Sequence, residues 1–269
     1  EMLLRYTPLP ASVCGTICPN LCMENCSRKK VDYSIDVSVL GRAINTAEPL
    51  KTAPATGRKV AIIGGGPGGM AVAWHLALNG IEAHIFERGE DIGGKLAQTI
   101  PWERLSRAVW EREIERFKKT PNIFINTGVS MSKDRMEELK KEFDYVVIAV
   151  GTHQPRIIPF PGHEKVIPAL EYLKAAKSDT PMKTGKKVVI IGAGNVGCDV
   201  AAECYRLGAD QVTLVDIQKP LAFGKEKESA EALGATFKWP VMTREVNDEG
   251  LVGDDGTLYP ADTVIILSL

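Results

Sequence analysis

The sequence predicts an α/β fold built twice over from a strand–glycine turn–helix–strand unit, and three observations predict it. An apolar run leads straight into glycines at KVAIIGGGPGGM, residues 59–70. The same arrangement returns at KKVVIIGAGNVG, residues 186–197. After each turn, a helical pattern and a second apolar strand follow within about thirty residues, the span of a βαβ unit.

Taken in order, residues 1–50 form a cysteine-rich, α-helical segment, with a helical pattern at 35–46. The stretch AEPLKTAPATGR (47–58) reads as a linker, rich in Pro, Ala, Thr and Gly and without periodicity. The first unit spans 57–152: strand, turn, a helix ending at Gly80, and the strand EAHIFERG. A helical pattern at 103–119, strand NIFIN (122–126), a helix to Phe143 and strand DYVVIAVG (144–151) complete it. The second unit spans 153–269, with a short helix near ALEYLKAA before its glycine turn. It then runs through a helix to Leu207, strand QVTLVD, a helix around 225–234, strand TFKWPVM, a hairpin at Asp254–Gly256 and the strand TVIILSL, which reads as the start of the return strand to the first unit.

Both turns satisfy G-x-G-x-x-G, at Gly64, Gly66 and Gly69 and again at Gly192, Gly194 and Gly197, with Asn195 and Val196 opening the second helix. The first glycine permits the tight turn, the second lets backbone approach a pyrophosphate, and the third allows helix–strand packing. The helix N-terminus then faces the phosphates. Glu87, 23 residues after Gly64, stands where a carboxylate accepts ribose hydroxyls. Asp216 stands 24 residues after Gly192 and favours a free 2′-hydroxyl, hence NADH over NADPH, unless Lys219 or Lys225 handles a 2′-phosphate. The pair of Rossmann-like units is thus expected to bind two dinucleotides, a nicotinamide nucleotide on the second.

Composition narrows the rest. With 44% hydrophobic residues in 269, a core can be buried; 33 basic against 34 acidic residues give no electrostatic case for nucleic acid or an anionic membrane. No apolar run is long enough to span a bilayer and no signal-peptide pattern is present, so a cytoplasmic location is expected. Because the chain opens on Glu1, a natural start further upstream is expected. Four of six cysteines, Cys14, Cys18, Cys22 and Cys26, crowd one end, which favours metal or iron–sulfur ligation over a disulfide framework. Reduced structural thiols are the alternative. Cys198 and Cys204 lie about 600° apart on a helix, a net ~120°, so they face different ways and are expected in the core. The histidines His75, His84, His153 and His163 are scattered, and Trp102, Trp110 and Trp239 are expected to pack.

The segment CGTICPNLCMENC, followed by the first glycine turn, the GGKL element, IPWERLSRAVWEREIE and the second turn, resembles the glutamate synthase small subunit and the N-terminal part of dihydropyrimidine dehydrogenase. The resemblance covers nearly all of the chain. It implies an FAD/NAD(P)-binding flavoprotein whose NAD domain is inserted in the FAD domain after a strand ending in glycine, here Gly151. It implies FAD contacts at Gly66, Glu87, Gly94, Lys95 and Arg104, with Ile17 near the flavin and Val129 near the adenine. It also implies [4Fe–4S] ligation, with Cys18 and Cys22 serving one cluster and Cys26 the other, and Cys14 matching a motif position. The family's Gln or Glu ligand falls on Gly41, further cluster ligands upstream and an FAD-domain remainder downstream. The implied activity takes hydride from NADH or NADPH onto FAD and passes electrons through [4Fe–4S] clusters to a partner subunit or domain, with no catalytic acid or base. The rival readings are a flavin disulfide reductase and a non-catalytic nucleotide-binding module.

Overall fold

The computed structural model describes residues 2–44, 46, 48–152, 158–178 and 182–267, so His153, Ser268 and Leu269 lie outside the described residues. The chain divides into two compact units, Glu1–Thr152 and His153–Leu269.

In the first unit, β1 (Lys59–Ile63), β2 (Glu82–Phe86), β3 (Ile123–Asn126) and β4 (Tyr145–Ile148) form a parallel sheet in the order β3-β2-β1-β4. β1 is buried from Val60 to Ile63, which is why its residues read as a continuous apolar run. The helices number from the cysteine segment: α1 (Leu21–Glu24), α2 (Val37–Arg42), then α3 (Pro67–Leu78), α4 (Gly94–Thr99), α5 (Arg107–Lys119) and α6 (Lys133–Glu142). α3 starts on a proline at its first turn and ends at Gly80, whose φ is +74°. Residues 48–58 are irregular but tied down there: Ala53 N–H donates to Leu78 O and Thr56 N–H to Gly80 O (2.8 Å).

α5 starts at Arg107, four residues later than the pattern at 103–119 suggests. Pro101 O accepts from the N–H groups of Arg104 and Leu105, so residues 101–105 close a turn and Leu105 is buried from it. The face that α5 buries holds Trp110 and Phe117, but also Glu113 and Arg116, at 1% and 0% exposure.

The cysteine segment contains an eight-residue π-helix, Pro10–Ile17, crossed closely by α2. A Cβ on Gly41 would stand 2.6 Å from Pro10 O and 2.7 Å from Gly15 N. The crossing therefore needs bare backbone at both glycines.

In the second unit, β5 (Ile167–Pro168) and α7 (Ala169–Ala176) precede β6 (Lys187–Ile191), α8 (Asn195–Arg206), β7 (Gln211–Val215), α9 (Gly224–Ala232) and β8 (Thr236–Lys238). β8 stops short of the predicted TFKWPVM strand because Pro240 has no N–H for the ladder. β9 (Thr243–Asn247), β10 (Gly250–Gly253) and β11 (Leu258–Pro260) form a separate antiparallel sheet, of which only the β10–β11 hairpin was expected. β12 (Thr263–Ile266) ends the described chain.

The main sheet has the order β5-β12-β6-β7-β8. This corrects the expectation that the last strand begins a return to the first unit. β12 pairs parallel to β6, Val264 opposite Val189 and Ile265 opposite Ile190, and its Val264 and Ile265 are buried in that sheet. β12 is thereby the counterpart of β4: β8-β7-β6-β12 repeats β3-β2-β1-β4. The antiparallel sheet replaces α6 between the third and fourth strands of the repeat.

Candidate functional site

Each unit carries one turn of the same geometry. In the first, Gly64 has φ +104°, a left-handed value that glycine tolerates. A Cβ on Gly64 would lie 2.4 Å from Ala149 O, so the end of β4 presses on the turn. A Cβ on Gly69 would lie 1.9 Å from Gly64 O, which fixes α3 close over β1. Gly66 differs: its Cβ would find no heavy atom nearer than 3.9 Å. Protein packing does not require glycine at Gly66. The bare backbone there leaves room for something outside the chain.

The second turn repeats these terms. Gly192 has φ +112°, a Cβ on Gly197 would lie 2.4 Å from Gly192 O, and a Cβ on Gly194 would meet nothing within 4 Å. Gly66 and Gly194 are the N-cap residues of α3 and α8, and neither helix has a side-chain cap. First-turn N–H groups have no intrahelical acceptor. Two uncapped helix starts, each beside an open glycine, fit a pyrophosphate.

The acidic residue at the end of the second strand clamps each turn. Gly65 N–H donates to Glu87 Oε2 (2.7 Å), and Gly89 N–H to its Oε1 (2.8 Å). Ala193 N–H donates to Asp216 Oδ2 (2.8 Å), and Gln218 N–H to its Oδ1 (3.1 Å). A carboxylate has about four acceptor sites, so each keeps about two beyond its turn.

Around the first turn, Gly93 and Gly94 have φ +115° and +51°. A Cβ on Gly94 would stand 2.9 Å from Gly66 Cα, so the GGKL element lies against the open glycine. Lys95 Nζ reaches Thr152 Oγ1 at 3.5 Å, beyond Gly151 at the end of the unit. Val129 N–H donates to Glu87 O (2.8 Å), which ties Val129 to the Glu87 backbone. Arg104 donates to Ile17 O (3.4 Å), joining the turn before α5 to the cysteine segment. In the second unit, Val196 is 44% exposed in the first turn of α8. The Asn195 side chain is committed elsewhere: it accepts from Phe223 N–H and donates to Phe223 O and Glu226, each at 3.1 Å. It braces the loop before α9, so what Asn195 offers a ligand is backbone.

Cys14, Cys18 and Cys22 lie within electrostatic reach of one another, but the four cysteines do not form a closed site. Cys14 lies in the π-helix, Cys18 just beyond it, Cys22 in α1, and Cys26 before a short 3₁₀ turn. Burial pushes the Cys14 thiol up, with Cys18, Glu113 and Cys22 adding to the shift. Backbone hydrogen bonds from Ile35, then Arg28 and Lys29, hold the Cys26 thiol below its ordinary value. Among the described residues no three His, Cys, Asp or Glu side chains converge to hold a metal ion. Gly41, where the resemblance puts a Gln or Glu ligand, has no space for a side chain. These residues alone do not fit a complete [4Fe–4S] ligand set.

Cys198 and Cys204 are buried and free, and burial pushes both thiols up to about 12. They do face different neighbours, as their helical separation implies. Cys198 feels Glu226 and Glu231 of the α9 side, and Cys204 hydrogen-bonds Tyr172 of α7. Trp110 is buried and Trp102 packs at the core edge, whereas Trp239 is 47% exposed and is not a packing residue.

Comparison with known proteins agrees with this geometry. Residues 58–267 match the pyridine nucleotide-disulphide oxidoreductase family. The NADPH-Fe(3+) oxidoreductase subunit beta of Geobacter sulfurreducens is 34% identical over 268 residues, covering 93% of this chain and 40% of that protein. The NAD-dependent dihydropyrimidine dehydrogenase subunit PreT of Escherichia coli O157:H7 is 32% identical over 247 residues, covering 87% of this chain and 60% of that one. The chain therefore spans 40% and 60% of the length of these two relatives. A solved 2-naphthoyl-CoA reductase complex shares the fold at TM-score 0.64 and 23% identity, over 81% of this chain and 34% of that one.

Proposed function

The chain belongs to the pyridine nucleotide-disulphide oxidoreductase family, and from that premise we propose that it takes hydride from a reduced nicotinamide nucleotide onto FAD and passes the electrons to a partner subunit or domain. The observation that carries the proposal is the pair of clamped glycine turns, each open at its second glycine. Relatives named as oxidoreductase subunits support the partner. No helix among the described residues is long and apolar enough to cross a membrane.

In the first unit, Gly64, Gly66 and Gly69 shape the pyrophosphate seat and Glu87 takes the ribose. Gly94 and Lys95 border the seat, Val129 borders the adenine, and Gly151 ends the strand beside it. Arg104 and Ile17 mark the side toward the cysteine segment. In the second unit, Gly192, Gly194 and Gly197, with the backbone of Asn195 and Val196, seat the nicotinamide nucleotide. FAD supplies the chemistry that accepts an electron pair and releases single electrons. The chain's residues bind and orient; the proposal assigns no proton transfer to a side chain. We propose the four cysteines as part of a [4Fe–4S] ligand set completed outside the described residues, and no step is assigned to that set. A disulphide-reducing role is less well supported, because Cys198 and Cys204 are buried and feel different neighbours.

Asp216 supports NADH as the donor. A free 2′-hydroxyl can donate to its remaining acceptor sites, whereas a 2′-phosphate would meet a like charge. Relatives are named for both nucleotides, and we propose this residue as the one that discriminates between them in this chain. Asp216→Ala in the full-length protein is expected to lower kcat/KM for NADH by about tenfold or more, the loss of one charge-assisted hydrogen bond. The value for NADPH should stay level or rise. Steady-state kinetics with both nucleotides checks this, and equal losses would remove Asp216 from the specificity role.

A further inference from the structure

The segment from Leu4 to Ile17 is held within the first unit by its buried Leu4 and Leu9 side chains and by hydrogen bonds to its backbone. Trp74 Nε1 donates to Leu4 O (2.6 Å), and Arg116 donates to Pro8 O (2.6 Å) and Thr46 O (2.7 Å). The Glu113 carboxylate accepts from Ala11 N–H (2.8 Å), from Ser12 N–H (2.9 Å) and from the Ser12 hydroxyl. Arg116 also donates to Glu113 Oε1 (3.1 Å), so the two charges neutralise each other. Ser12, Glu113 and Arg116 are all buried, at 0%, 1% and 0% exposure.

This is an expensive way to pack a helix. A buried ion pair repays its desolvation only when further hydrogen bonds satisfy it, and an apolar pair of similar volume often serves stability as well. Here the further bonds fall on the first turn of the π-helix that carries Cys14 and delivers Cys18. Two N–H groups at that helix start are orphans by geometry, and Glu113 satisfies them from another element. At the far end Arg104 grips Ile17 O.

We propose that the Glu113–Arg116 pair is a positioning latch that seats the Cys14–Cys18 segment on the flavin-binding unit and thereby governs how readily electrons leave the flavin. The second half of this statement rests on the function proposed above; the first half does not. Glu113 and Arg116 are positioning residues, and their hydrogen bonds go to residues 8–12, to Thr46 and to each other, not to the glycine turn of the first unit.

The test uses Glu113→Gln in the full-length protein, with Ser12→Ala as the milder variant. A glutamine keeps the length but turns an NH₂ toward donors that need an acceptor. Hydrogen–deuterium exchange at residues 10–18 is expected to rise by about tenfold or more in Glu113→Gln. It should rise in the same direction, by less, in Ser12→Ala, while exchange in β1, β2 and β4 stays as in the parent. In the same protein, flavin reduction by NADH should stay within about twofold, whereas turnover with ferric nitrilotriacetate as one-electron acceptor falls by about tenfold. Unchanged exchange at 10–18 in both variants would overturn the latch. Raised exchange with unchanged ferric reduction would overturn its control of electron exit. A parent protein that takes no hydride would count against the proposed function, and the exchange measurement would still decide the latch.

Discussion

Gly66→Ala and Gly194→Ala are expected to abolish dinucleotide binding, each in its own unit, and to leave the fold intact. Both residues sit in conformations that alanine adopts, with φ −72° and −89°. An added methyl at Gly66 meets no protein atom nearer than 3.9 Å, and at Gly194 none within 4 Å. Alanine is a poorer N-cap than glycine, but it also lowers the entropy of the unfolded chain, and the two effects are of similar size, each under about 1 kcal/mol. The melting temperature should therefore move by no more than about 2 °C. Binding has no such compensation. The methyl occupies the approach to the helix N–H groups, and losing two charge-assisted hydrogen bonds at about 1.5–3 kcal/mol each weakens binding by about a hundredfold or more. Flavin content checks Gly66→Ala. Titration with NADH checks Gly194→Ala, which should retain its flavin.

Gly69→Ala and Gly197→Ala should do the opposite, three residues further on. Their methyls would stand 1.9 and 2.4 Å from the carbonyl oxygens of Gly64 and Gly192. Backbone oxygen cannot yield as a flexible side chain does, so the helix must lift from its strand. Overpacking of this kind costs about 1–3 kcal/mol and occasionally more, with Gly69 at the upper end. For a chain of this size that is a drop of roughly 4–10 °C in melting temperature. Thermal unfolding without ligand isolates the effect. The contrast between the second and third glycines separates a ligand-shaped turn from a glycine turn that merely packs.

The turns were legible because every constraint on them is local. Apolar strand, glycine spacing and terminal carboxylate all lie within one βαβ unit, and β1, α3, β6 and α8 form where those signals place them. α7 likewise coincides with ALEYLKAA. Glu87 and Asp216 stand at their strand ends, although each already serves its own turn through a backbone N–H, which spacing alone does not reveal.

What the sequence concealed depends on distant partners. Periodicity counts Glu113 and Arg116 as polar and therefore exposed, yet both are buried because residues 8–12, about a hundred positions away, supply their hydrogen bonds. The fate of β12 was hidden for a similar reason. TVIILSL is apolar enough for either sheet, and only the free edge of β6 decides. Gly41 looked like a missing ligand; the crossing with Gly15 shows that it has a packing role of its own.

Anaerobic purification of the full-length protein, followed by flavin analysis and addition of NADH or NADPH while the visible absorbance of the flavin is followed, tests whether the twin turns bind FAD and a nicotinamide nucleotide for electron transfer. Bound FAD, bleached by either nucleotide and faster by NADH, is expected. A protein that binds no flavin, or whose flavin neither nucleotide reduces, would exclude that function.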